Sequence, residues 1–188
     1  YSERDVVHEE RRLRTDSTPT GRFQEQFNSM FWASCGYSWP VIGWPSDLNS
    51  YTFEQAQVYW NTYYRPGNLF GVVVGDFDPK QAKKYIKQYF SRLDPGSNKL
   101  PPVVTLEVEQ LAEQRMNAIG DFPPTIEVRY HTVPAGHADS YPLDMLAEVL
   151  NERTGRLYST MVEGRGIAAT ASASSDTRKY AGLFSFDA

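Results

Sequence analysis

The sequence predicts an α+β fold: one mostly antiparallel sheet with helices packed on one face. Three observations carry that expectation. Helical patterns fill the first third of the chain, a short apolar strand-like run leads into a helix next, and pairs of strand-like segments then bracket a pair of helices. The resulting order, helices, then β-α, then β-β-α-α-β-β, lacks the regular βαβ alternation of a doubly wound parallel sheet. No short tandem repeat is present.

Each element follows from local patterning. Residues 2–14 are strongly charged, yet Val6, Val7 and Leu13 recur near one face of a helix. Residues 15–21 are turn-rich. In 22–35 a helical pattern resumes, with Phe23, Phe27, Met30 and Phe31 on one stripe. An aromatic, loop-like stretch from Gly36 to Asn49 follows. Thr52, then Glu54, Ala56, Val58, Tyr59 and Tyr63, predicts a capped helix ending before Pro66-Gly67. Asn68 to Gly75 is a continuous apolar run between turn residues, the pattern of a buried strand. Asp78 can cap the next helix and Pro79 suits its first position. That helix runs from Lys80 to about Leu93, with Ala82, Tyr85, Ile86 and Phe90 inward. Residues 94–103 form the clearest linker. Strands are expected near 115–122 and 125–133, the second with Ile126, Val128 and Tyr130 at period two. Helices are expected near 139–151 and from Thr154 to Glu163. A strand pair, 166–174 and 181–187, should meet at a Ser-Asp-Thr-Arg turn.

The 188 residues carry 40% hydrophobic and 22% charged side chains, an ordinary balance for a folded domain. No run approaches the ~20 apolar residues of a membrane-spanning helix. The net charge of −4 and a pI near 5.4 argue against nucleic acid as a partner. Tyr1 replaces a starting Met, a helical pattern is already running at residue 3, and the last residues read as an interrupted strand. We therefore expect a segment of something longer. Cys35, the lone cysteine, sits among Phe31, Trp32 and Tyr37 and reads as a small apolar filler rather than a catalytic thiol. His8 lies two residues before Glu10, a spacing that points the two apart on a helix. His131 and His137 flank a polar turn, a setting that explains them without a metal.

The run from Glu3 to Arg12, E-R-D-V-V-H-E-E-R-R, resembles a helix of the insulinase/pitrilysin zinc metallopeptidases. Two further stretches agree in order and spacing. Trp39-Pro-Val-Ile-Gly43 with Asp47-Leu48 and Tyr64-Arg-Pro-Gly-Asn68 is similar to the family's loop and following helix. Asn68 through Asp78-Pro79 is similar to its strand-turn-helix. The resemblance covers nearly the whole chain and is strongest over 3–93. It implies that residues 1–65 are the helical end of a first αβ unit and 66–188 most of a second. It also implies that Glu10 is the third zinc ligand and Glu3 an accessory catalytic glutamate. The implied parent cleaves peptides or unfolded proteins with zinc-activated water, inside a chamber closed by two homologous halves. The stretch 39–79 resembles bacterial members, which is compatible with the periplasm and leaves the compartment unassigned.

Helix geometry is consistent with that pairing. Seven residues turn a helix through about 700°, so Glu3 and Glu10 share a face roughly 10 Å apart along the axis. Glu9 is the rival for the ligand role; one residue of register turns the side chain by about 100°. Both could equally be solvated helix residues, paired with the neighbouring arginines. The family's His-x-x-Glu-His motif occurs nowhere in the sequence. A zinc site needs three protein ligands and an open position, so the segment alone should be metal-free and inactive. The partners it then requires are the metal-binding helix and a homologous second half. The alternative is a non-catalytic half or scaffold subunit of the same fold.

Overall fold

A computed structural model describes residues 2–96 and 100–188. The expected linker at 94–103 falls partly on 97–99, outside the described residues. The chain divides into two compact units, Tyr1–Trp44 with Val104–Ala188, and Pro45–Val103.

The first unit opens with α1 (Ser2–Arg11), which loosens into a π turn over Arg12–Asp16. A tight turn follows and α2 (Gly21–Phe31) begins. The turn is so close that a Cβ at position 21 would collide with the carbonyl of Thr15 and the hydroxyl of Thr18, which explains the glycine. The unit's sheet consists of β1 (Glu127–Thr132), β2 (Ser172–Thr177) and β3 (Gly182–Asp187) in the order β1-β3-β2, antiparallel throughout. This is the expected α+β class with an antiparallel sheet.

Side chains alternate across a strand, so adjacent Leu183 and Phe184 serve opposite faces of β3. Phe184, Ala173 and Phe186 pack with Ala147, Leu143 and Leu150 of α6 (Ser140–Asn151). On the other face Leu183 and Ala181 close over Phe31, Trp32 and Cys35 from the end of α2 and the loop beyond. Helical segments therefore meet both faces. Along β1 the charged residues Glu127 and Arg129 are the better covered, while Val128 and Tyr130 stand exposed. β1 lies at the sheet edge, and α2 supplies polar partners for its odd-numbered residues. Gln24 donates to Glu127 at 3.1 Å, and Arg129 donates to Glu127, Asn28 and Gln24.

In the second unit, α3 (Pro45–Ser50) buries Leu48. A capping box starts α4 (Phe53–Tyr63): Gln55 N–H donates to the Thr52 hydroxyl at 3.3 Å, and Thr52 N–H to Gln55 Oε1 at 2.8 Å. Asp78 caps α5 (Pro79–Phe90), accepting from Lys80 N–H at 2.8 Å with Pro79 in the first turn. Sequence patterning located both starts.

Several elements differ from expectation. The apolar run at 68–75 is exposed and forms no strand. Apolar content selects a strand only where a neighbour offers backbone pairing and a covered face, and the described residues of this unit contain no other strand. For the same reason Tyr85, Ile86 and Phe90 remain exposed. The segment 115–122 runs as irregular chain, its Asn117 and Gly120 being poor strand formers. The helix expected from Thr154 is a wide π turn over Tyr158–Gly164. The final hairpin is shifted toward the C-terminus: pairing of Asp176 with Leu183 and Thr177 with Gly182 takes the Ser-Asp-Thr stretch into β2. The reversal falls at 178–181, closed by Arg178 N–H donating to Ala181 at 3.0 Å.

Candidate functional site

Glu10 lies near the end of α1, in the wall of a groove of about 840 Å³ formed with the turn at 15–20, α2 and Pro40–Ile42. Its carboxylate is partly exposed and pairs with Arg14 at 3.2 Å across one helical turn. Glu9 points elsewhere, exposed and paired with Arg12. Glu3, two turns before Glu10, is exposed. Glu25 also lines the groove, but it belongs to Arg11. The Arg11 guanidinium donates to both carboxylate oxygens of Glu25, at 2.6 and 2.8 Å, and to the Gly43 carbonyl at 2.9 Å. Donating to Glu25 raises the Arg11 pKa above its ordinary value, against the opposing pull of burial. Arg11 thus ties the end of α1 to α2 and to Gly43, one residue along from Glu10.

Zinc can be tested against these side chains. Among the described residues no group of three or more His, Cys, Asp or Glu comes together to hold a metal ion. Of the two carboxylates lining the groove, Glu25 is held by Arg11 and Glu10 pairs with the exposed Arg14. That fits a single donor to a metal whose remaining ligands come from elsewhere, and does not make a complete site. The histidines join no such group. His131 stacks on Phe31 with ring centroids 4.0 Å apart, and His137 Nδ1 accepts from Asp139 N–H at 3.1 Å beside the start of α6.

A second constellation escaped the sequence reading. The Glu107 carboxylate accepts three successive backbone N–H groups, from Ala33 at 2.7 Å, Ser34 at 3.3 Å and Cys35 at 3.0 Å. The Ser34 hydroxyl donates to Leu106 at 2.7 Å and accepts from Val108 N–H at 3.0 Å. Burial pushes the Glu107 carboxyl up, but the hydrogen bonds from Cys35, Ala33 and Ser34 outweigh it and hold the group below the usual carboxylate range. Nothing in Val-Val-Thr-Leu-Glu-Val-Glu marks its one clamping glutamate. Arg11 did leave a trace: it lies four residues beyond half-buried Val7, on the covered face of α1.

The groove thus lies in a unit with an antiparallel sheet and helices, with Glu10 and Glu25 in its lining. Residues 50–188 match the model of the Peptidase M16 inactive domain, and the chain belongs to that family. It is 28% identical over 173 residues to the zinc protease PqqE of Helicobacter pylori, covering 90% of this chain and 39% of that protein. A solved protease from Helicobacter pylori superposes with a TM-score of 0.84 at 25% identity, over 99% of this chain and 46% of that one. The periplasmic protease PqqL of Escherichia coli superposes with a TM-score of 0.68 at 22% identity, over 99% of this chain and 21% of that one, a likeness of fold. The chain therefore spans less than half the length of these relatives. The insulinase/pitrilysin resemblance read from the motifs agrees with this membership.

Proposed function

We propose that this chain is a section of a two-part zinc metallopeptidase, to which it contributes Glu10 as one metal ligand and Glu3 as an accessory carboxylate. The observation that carries the reading is the Glu10 carboxylate. It lines an open groove, one residue before the Arg11–Glu25 ion pair, and pairs with the exposed Arg14. In this reading residues 1–65 close a first αβ unit and 66–188 belong to a second. The two histidine ligands and the general-base glutamate come from a metal-binding helix outside these 188 residues, and a homologous half completes the chamber. Bound zinc supplies an activated water and a Lewis acid for the peptide carbonyl. Glu10 holds its charge in place on a helix, and Glu3 on the same face can order water or the departing amine. Substrates are peptides or unfolded proteins. The periplasm is the proposed compartment, in line with the description of the Escherichia coli relative PqqL.

The test uses the full-length protein that contains this chain. Stoichiometric zinc and cleavage of an unfolded peptide are expected, and Glu10→Gln should remove both while Glu9→Gln spares them. Full zinc content and activity in Glu10→Gln would sink the assignment. A full-length protein with neither zinc nor cleavage would favour the second reading, a non-catalytic half or scaffold subunit. The match to an inactive domain supports that alternative.

A further inference from the structure

We infer that Glu107 is a releasable latch, which holds the strap at 106–117 against the first unit and whose opening uncovers both Cys35 and the cleft beside β1. The strap and β1 form the two sides of a cleft of about 1140 Å³ floored by Phe27, Met30 and Phe31. The strap has no regular structure, and Leu111 within it and Ile119 just beyond it stand in solvent. It is fastened at 106–108. There Glu107 fills a nest of three N–H groups and Ser34 bridges the backbone on either side of it. A cluster of bonds at one point, with exposed chain beyond it, can let go as a unit while the sheet stays folded. Cys35 reports on the event. Its side chain is buried against Phe31, Trp32, Ala181 and Leu183 and its backbone N–H donates to Glu107 at 3.0 Å, so the departing carboxylate would leave it exposed on that side. Burial first, and the adjoining Glu107 carboxylate second, raise the thiol pKa. The closed latch therefore suppresses the thiolate as well as access to it.

The experiment measures the rate at which a maleimide or disulfide reagent labels Cys35 in this chain, the only cysteine in it, alongside amide hydrogen exchange of the unmodified protein. Glu107→Gln weakens charge-assisted bonds and should speed labelling about tenfold or more, with Ser34→Ala giving a smaller acceleration. In the unmodified protein the amides of Ala33, Ser34, Cys35 and Val108, corrected for intrinsic rates, should show one common protection, lower than that of Leu183 and Phe184 in β3. The exchange measurement needs no variant, so it decides the matter even where Glu107→Gln does not fold. Protection of the four amides equal to that of β3, or four unrelated protection values, overturns the latch. Labelling of folded Glu107→Gln at the unmodified rate does the same.

Discussion

Arg11 and Glu25 form a two-pronged ion pair, 2.6 and 2.8 Å long, whose side chains are 5% and 9% exposed. A guanidinium matches a carboxylate in this way through its planar fork. Removing one member of such a buried pair leaves the other charged and without a partner. Arg11→Ala should therefore destabilise the first unit by about 3 kcal/mol, and Arg11→Lys by less but measurably, since an ammonium cannot reproduce the fork. Urea unfolding followed by far-UV circular dichroism measures both.

The same anchor predicts an effect beyond stability. If Arg11 sets the rotation of α1, Arg11→Met in the full-length protein should weaken zinc retention during dialysis against a mild chelator, although the ion-pair partner of Glu10 is Arg14. Retention equal to that of the unmodified protein, in a variant that still folds, contradicts the anchoring role.

Asp187 sits opposite Glu127 across β1 and β3. Burial, and then the neighbouring charge of Glu127, raise its carboxyl pKa above the ordinary value, with the Ser185 hydroxyl and Arg129 opposing. A raised folded pKa means that the native state holds the proton more tightly than the unfolded chain. The associated stability is complete below the unfolded Asp value, near 3.9, and is lost as pH rises through the folded value. Asp187→Asn should accordingly raise the melting temperature at pH 7 and change it little at pH 3.

Glu107 behaves in the opposite sense. Its folded pKa is lowered, so its contribution is present above the unfolded Glu value, near 4.3, and disappears as pH falls through the folded value. Exchange of the amides of Ala33 to Cys35, corrected for intrinsic rates, should show protection that drops at acid pH before the sheet amides lose theirs.

Thr52 closes the capping box of α4, a helix whose residues are largely exposed. With little packing to hold it, the cap matters more than usual. Thr52→Ala should cost about 1 kcal/mol of local helix stability, visible as faster exchange in the first turns of α4 and no change in β3.

Sequence patterning reached the features governed by neighbours in the chain. Thr52 and Asp78 mark helix starts because a capping side chain reaches only two or three residues along the backbone. The stripe Phe23, Phe27, Met30 and Phe31 follows helix periodicity, and the motifs from Glu3 to Pro79 were enough to suggest the family to which the chain belongs. The antiparallel α+β class was likewise legible from element order.

Tertiary structure decided what depends on distant partners. Whether Asn68–Gly75 becomes a strand is set by a neighbour offering hydrogen bonds and cover, not by its own valines. Glu127 and Arg129 are covered because Gln24 and Asn28, about a hundred residues away in sequence, meet them from α2. Glu107 is held by backbone N–H groups more than seventy residues earlier, and backbone donors leave no mark in side-chain identity. A sequence specifies its caps and stripes locally; which charges are buried, and against what, is settled only when the chain closes on itself.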